Sequence, residues 1–462
     1  MGEMATVPYL FGIAHPTGFP LFVILGWLVS HALPFGTVAW RTTLVACAGG
    51  AAAALAVWLA LDALGCAALY ATGAAWWFAF GDIVWQHADR TDVHALELGF
   101  ETLALAFAIR FYRKGNQRNA IAAALASGCA LATHPNALWL LPGVLVLLVA
   151  RRSAPWEKLG IAAALPLLTY LYIPVRSAYL AAHRVDPTLR VGVPPGQPFW
   201  NYGDPHNAAG FWWLVSGAQY PTHGAFVAMF TPMQYVRGMA LFVPAASADH
   251  GAILLVLAAA GWFVLARRAP IVAAALLVCF LGWCAFAAAY QTMENDPPRY
   301  LLSALWIQTV CIGALWLLVP RARIARWTII AIALVAGASC LWSDRGRFLE
   351  HGDPLAAPFI ARIEHETGPR DVIVAQWNYA TPLGYAKYVS ATLGDRIVVN
   401  GGPPENDALI AALAAKYPTD IVLEHPVSIP GVELRSRGRG FPALFSVRPR
   451  RAAAGAASVG RR

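Results

Sequence analysis

Apolar residues run along this chain in long blocks, broken by short polar or basic stretches. A membrane-spanning helix needs about 20 predominantly apolar residues, within a range of roughly 17–25. On that measure the pattern predicts spans at 18–33, 40–61, 66–80, 95–111, 119–150, 159–175, 251–266, 270–290, 301–319 and 325–342. The block 119–150 is long, and Pro135 is its expected break. The block 233–247 is apolar but short and reads as interfacial or re-entrant. From about Asp344 the pattern changes. Asp371–Ala375, Arg396–Val399 and Asp420–Leu423 read as short strands, with helical patterns at 381–390 and 405–416 between them. That alternation predicts a small α/β domain. The fold class is therefore mainly α: a polytopic transmembrane helical bundle over 1–343 and a small α/β domain over 344–446. A basic Ala/Gly/Arg tail, 447–462, is expected to be disordered.

Composition supports the membrane class. Of 462 residues, 58% are hydrophobic and only 13% are charged, whereas a soluble domain is usually near a quarter charged. The 18 Trp and 15 Tyr suit long membrane–water boundaries, where amphipathic rings sit well. The net charge of +9 gathers between apolar blocks, so it marks topology and not a nucleic-acid surface. The cysteines lie in or beside apolar segments without a CxxC pair. They read as small buried residues, with no disulfide framework and no metal site.

The basic clusters Arg110 to Arg118, Arg151-Arg152 with Lys158, Arg267-Arg268, and Arg321, Arg323 and Arg326 are expected on the cytoplasmic side. Counting spans outward from them places 176–232, 291–299 and the C-terminal part outside. Upstream the count does not close. If residues 1–17 are outside, an odd number of crossings must precede 110–118, so one of 66–80 and 95–111 is expected to insert only partly.

Four polar constellations fall on the predicted outer side. The first is Glu3 with His15-Pro16. The second is Asp82, His87, Asp89, Asp92 and His94, followed by Glu97 and Glu101. The third is Arg176 with Asn201-Tyr-Gly-Asp204 and the run from Gly210 to Tyr220. The fourth is Glu294, Asp296 and Arg299-Tyr300. Each has a plainer reading: a solvated loop for 82–94, a snorkelling stem for Arg176, an interfacial anchor for Phe211-Trp212-Trp213. His134-Pro135-Asn136 reads as a helix break in preference to a ligand. Glu97 and Glu101 share a helical face at i, i+4, and two acids there are expected to line something polar, a cavity or a partner. The His/Asp spacing matches no strong metal pattern. Acids, an arginine and aromatic rings at a membrane surface suit a reaction on a lipid-linked substrate. A carboxylate can take a proton from an acceptor hydroxyl, an arginine can hold a phosphate, and rings can flank a sugar or a lipid tail.

Gly2-Glu3, followed by Gly12-Ile-Ala-His-Pro-Thr-Gly-Phe-Pro-Leu-Phe22, resembles the N-terminal signature of the protein O-mannosyltransferase-like membrane family. Thr17 replaces the family's usual second proline. Trp85 to Leu96 resembles its acidic block, with Asp92 where glutamate is usual and His94 where tyrosine is usual. Leu131 to Asn136 resembles its mid-chain histidine block. Tyr170 to Arg176, Asn201 to Pro205 and Ser216 to Tyr220 resemble its loop signature, with Tyr202 where tryptophan is common. The likeness covers about residues 2–305. It implies a GT-C type fold, with an active site at the outer face and a polyprenyl-phosphate sugar as donor.

Met1 stands where the family has the small residue before Gly-Glu. The family's aspartate and a preceding membrane helix are thus expected upstream of a misassigned start, the alternative being a shortened, inactive member. The expected activity is transfer of a sugar, with mannose as the family's candidate, to an extracytoplasmic acceptor, protein Ser/Thr or glycan. Glu3 and Asp92 are the expected catalytic acids, and His15, Arg176, Asn201, Asp204 and Tyr220 the expected substrate-binding residues. No metal ligand is assigned, and the need for a divalent metal is left open. The expected location is a bacterial inner membrane, with the active side and the C-terminus extracytoplasmic. The partners are membrane lipid, donor and acceptor, with no nucleic acid. The competing readings are a transporter or flippase using the intramembrane acids, and an inactive envelope protein.

Overall fold

The computed structural model describes residues 2–196, 200–220, 231–290, 297–343 and 355–450. In chain order the helices are α1 (Gly2–Leu10), α2 (Pro20–Ala32), α3 (Val38–Leu64), α4 (Ala68–Ala79), α5 (Asp82–Ala88), α6 (Val93–Lys114), α7 (Gln117–Thr133), α8 (Leu141–Val149), α9 (Trp156–Leu167), α10 (Tyr172–Ala182), α11 (Ala208–Val215), α12 (Pro232–His250), α13 (Ile253–Arg268), α14 (Pro270–Tyr290), α15 (Leu302–Ala314), α16 (Arg323–Ser343), α17 (Ala356–Glu366), α18 (Trp377–Tyr388) and α19 (Asp407–Lys416). The strands are β1 (Val372–Ala375), β2 (Ile397–Asn400), β3 (Thr419–Leu423), β4 (Val432–Ser436) and β5 (Ala443–Pro449). By internal contacts the chain falls into two units: 1–15, 173–212 and 352–462 in one, 16–172 and 213–351 in the other. This grouping joins an N-terminal stretch and a mid-chain stretch to the C-terminal residues, beside the boundary expected near 343.

The larger unit is the helical one, and the chain is an integral, multi-pass membrane protein. Among the described residues five helices are long and apolar enough to cross a membrane: Val38–Leu64, Trp156–Ala182, Pro270–Ala289, Pro298–Leu318 and Arg323–Trp342. A bent pair, Pro232–Ala248 with Ile253–Arg268 at 115°, makes a sixth if taken as one span. Outward-facing apolar side chains such as Val335, 68% exposed, suit a hydrocarbon surface. Local signals set the helix ends. Thr37 caps α3 by accepting from the Trp40 N–H at 3.1 Å, and Gly65 ends it at φ 91°, a conformation that favours glycine.

Helices α3 and α6 run parallel and close. Thr43 and Thr91 pair at 3.0 Å near their starts, and Arg110 and Lys114 both reach Asp62 at their ends, at 3.0 and 2.8 Å. Gly49 makes the approach possible, because a Cβ there would stand 2.2 Å from the Ala95 carbonyl oxygen. Such small-residue contacts are how helices associate where no hydrophobic drive separates protein from lipid. Parallel neighbours need a return, which α4 and α5 supply.

Helix α2 does not traverse the bundle. Phe19, at its start, stacks on His134, while Arg41 bonds the Ser30 and Leu33 carbonyls at its end. Both places lie where α3 and α6 begin. The predicted span 18–33 is thus a 13-residue helix, shorter than a crossing needs. The block 119–150 breaks where expected: His134 accepts from the Asn136 N–H at 3.1 Å, opening a 3-10 turn over Pro135–Leu140.

In the other unit a five-stranded sheet has the order β2-β1-β3-β5-β4. Strands β2, β1 and β3 are parallel, while β5 and β4 are antiparallel. Alternation along β1 sends Val372 and Val374 to one face, with Ile410 and Leu413 of α19. It sends Ile373 and Ala375 to the other, with Phe359, Ile363 and Leu383 of α17 and α18. Helix α17 and the β4–β5 hairpin were not anticipated. Strand β5 also carries residues 447–449, which had been assigned to the tail; residues 451–462 lie outside those described.

Candidate functional site

Glu3 sits in the first turn of α1 and is 4% exposed. A carboxylate this buried must be paired or bonded, and both its oxygens turn to one residue twelve positions on. Its Oε1 accepts the His15 backbone N–H at 2.8 Å, and its Oε2 lies 2.5 Å from His15 Nδ1. The His15 side chain keeps 28% exposure.

The loop around 201 is laced to the same motif. The Ile13 N–H donates to the Trp200 carbonyl at 2.6 Å, and the Tyr202 N–H returns to the Ile13 carbonyl at 3.2 Å. Asp204, at φ 47°, accepts at Oδ1 from Asn201 Nδ2 at 3.1 Å and from Ser177 Oγ at 3.2 Å. Arg176 donates from Nε to the Phe11 carbonyl at 2.8 Å and from Nη2 to the Leu10 carbonyl at 3.1 Å. These are orphan carbonyls at the end of α1, so Arg176 ties down the stretch between Glu3 and His15. Two of its five donors are spent there. Glu3, His15, Arg176, Asn201 and Asp204 are therefore joined in one unit, although far apart in sequence.

Trp377 completes this cluster and was not anticipated. It opens α18 directly after β1, and its ring lies 5.8 Å from that of His15 and 5.5 Å from that of Tyr202. Ligands of open parallel sheets gather at the carboxyl ends of strands. The end of β1 was thus the available signal.

Asp92 and Tyr220 belong to the helical unit. Asp92 caps α6, its Oδ1 accepting the His94 N–H at 2.8 Å. Its Oδ2 lies 2.6 Å from His87 Nδ1 and 3.2 Å from Arg90 Nε. Burial works against the charge, but the facing His87 ring, helped by His94 and Arg90, holds the Asp92 carboxyl well below the usual range. The Tyr220 hydroxyl donates to the Pro16 carbonyl at 3.2 Å. Glu97 and Glu101 do line something polar, and it is protein. His94 Nδ1 lies 2.9 Å from Glu97 Oε2, while Trp283 Nε1 donates to Glu101 at 3.2 Å and Ser303 bonds its other oxygen. His134, read as a helix break, also reaches Glu97. Glu294 and Asp296 lie outside the described residues.

Chemically, the first cluster is a carboxylate-oriented imidazole walled by rings, a set able to take a proton from a hydroxyl. The second holds an ionised carboxylate at a helix N-terminus beside the Arg90 guanidinium and the His87 ring.

Residues 1–157 match the family model described as the Protein O-mannosyl-transferase TMEM260 N-terminal domain. The Protein O-mannosyl-transferase TMEM260 of Mus musculus is 31% identical over 221 residues, covering 46% of this chain and 29% of that protein. Its counterpart in Dictyostelium discoideum is 30% identical over 118 residues, 24% of this chain and 14% of that protein. The matches thus span less than a third of either relative's length. Among solved structures, ArnT from Cupriavidus metallidurans in the apo state aligns with a TM-score of 0.41 at 14% identity, covering 96% of this chain and 92% of that one.

Proposed function

We propose that this chain, which carries the N-terminal domain of the protein O-mannosyltransferase-like membrane family, is a membrane glycosyltransferase of the inverting GT-C kind. It moves a sugar, mannose in the first instance, from a polyprenyl-phosphate carrier to a hydroxyl of an extracytoplasmic acceptor. The basic ends of α6 and α13 are assigned to the cytoplasm, in a bacterial inner membrane, with Glu3 and His15 on the opposite side.

The observation that carries the reading is the Glu3–His15 pair. With Nδ1 held by Glu3 Oε2 at 2.5 Å, the ring's basic nitrogen is Nε2. In transfer the acceptor oxygen attacks the anomeric carbon as its proton passes to His15, and the bond to the carrier phosphate breaks. The phosphate leaves with the electron pair, and Glu3 stabilises the imidazolium that forms. Asn201 and Asp204 shape the acceptor cleft with Trp377 and Tyr202, and Tyr220 supports the segment after His15. Arg176 positions the α1 end, leaving the donor phosphate as its secondary role, and Asp92 is kept as a candidate acid of the helical unit.

The test is transfer from a radiolabelled polyprenyl-phosphate sugar, by this chain and by a version extended upstream of Met1. Glu3→Gln and His15→Ala should each lose about 10²–10⁴-fold in kcat, the usual worth of a positioned acid–base group. Full activity in both would remove the pair from the mechanism. Flux of lipid or solute that depends on Glu97 or Glu101, without sugar transfer, would support the transporter reading instead.

A further inference from the structure

We propose that the helical unit holds a divalent transition-metal site built from His94, Glu97 and His134. His94 and Glu97 share a face of α6 at i, i+3, and His134 arrives from the break after α7. One donor atom from each lies within 4.8 Å of the others. Glu97 is 2% exposed.

Two buried oxygens beside these groups, one on Glu97 and one on Asn136, mark where a cation would sit. His134 Nδ1 accepts the Asn136 backbone N–H at 3.1 Å, so that nitrogen presents a lone pair. Yet it stands 3.4 Å from Glu97 Oε1, another acceptor. Glu97 Oε1 and Asn136 Oδ1 are both buried without a hydrogen-bond donor among the described residues. Two acceptors facing each other in an apolar interior share either a proton or a metal ion between them, and the second imidazole, His94, beside the same carboxylate favours the metal. Two donors each about 2.1 Å from a tetrahedral ion stand roughly 3.4 Å apart. Two imidazoles and one carboxylate suit zinc, cobalt or a similar borderline ion better than magnesium, which prefers oxygen donors. The ion competes with the Asn136 N–H for the His134 lone pair, and Asn136 Oδ1 is on hand as a further donor. Three side-chain ligands are fewer than the four of a closed structural zinc site. The site stands apart from the transferase reading and holds or fails without it.

The experiment uses the full chain, purified in detergent and stripped with a chelator, then titrated with Zn²⁺ or Co²⁺. One ion per chain is expected, with visible d–d bands for Co²⁺. Glu97→Gln and His134→Ala should weaken binding by more than about 100-fold, since even outer partners of metal ligands are worth 10–100-fold. X-ray absorption of the Zn²⁺-loaded wild type should show imidazole scattering from two histidines, a readout independent of how any variant folds. The site is refuted by the absence of stoichiometric binding in the wild type, by binding unchanged in both variants, or by a spectrum without imidazole.

Discussion

Asp420 makes the stability of the α/β unit depend on pH in an unusual direction. It lies on β3 with its side chain fully buried, and Arg437 Nε donates to its Oδ1 at 2.6 Å. The same guanidinium reaches Asp371 Oδ2 at 3.3 Å, so one cation serves two carboxylates. No donor among the described residues meets Asp420 Oδ2. Burial, and then the neighbouring Asp371, push the Asp420 carboxyl up to about 7, against the pull of Arg437. In the unfolded chain it titrates near 3.9. Between those values the folded unit keeps a proton that the unfolded chain has lost. Stability therefore falls as pH rises, by about 1.4 kcal/mol per pH unit for this one group. The contribution is fully present below roughly pH 4 and is gone above about pH 7. The assay is hydrogen exchange on the full chain, following β1 and β3 between pH 5 and 8 after correction for intrinsic rates. Asp420→Asn keeps the shape and one oxygen for Arg437, so it should flatten the slope and leave the strands better protected at pH 8. Protection that rises with pH in the wild type, or a slope unchanged in Asp420→Asn, would refute the reasoning.

Other consequences are as direct. Gly49→Ala places a Cβ 2.2 Å from the Ala95 carbonyl oxygen and forces α3 from α6; a loss of about 1–3 kcal/mol is expected. An unchanged thermal midpoint in detergent would contradict the close packing. Arg176→Met strands the Leu10 and Phe11 carbonyls and should cost about 1–3 kcal/mol. Unchanged stability with a raised donor KM would instead assign Arg176 to the phosphate alone. Asp92→Ala removes the cap of α6 and should cost about 1 kcal/mol, read by thermal unfolding. Trp377→Ala should lower transfer, with the thermal midpoint little changed, if the α/β unit serves the Glu3–His15 pair.

Much of this protein was legible in the order of its residues. Apolar blocks of membrane length, the break at Pro135, the α/β character of the C-terminal part and the acids worth watching all follow from local pattern. Periodicity and helix punctuation are properties of neighbours in the chain. What the pattern could not decide was pairing across distance. Block 18–33 is apolar enough to cross, and only the structure shows it as a 13-residue helix with Phe19 against His134 and Arg41 against Leu33. The sequence offers Arg176 for a phosphate, and only the structure adds that it also holds two carbonyls 165 and 166 positions away. The end of β1 points only to the neighbourhood of Trp377, because its partners His15 and Tyr202 come from other parts of the chain. A charged or aromatic side chain takes its meaning from what offsets its charge or covers its face. Those partners are chosen by the packing of helices and strands, after the local preferences have been met.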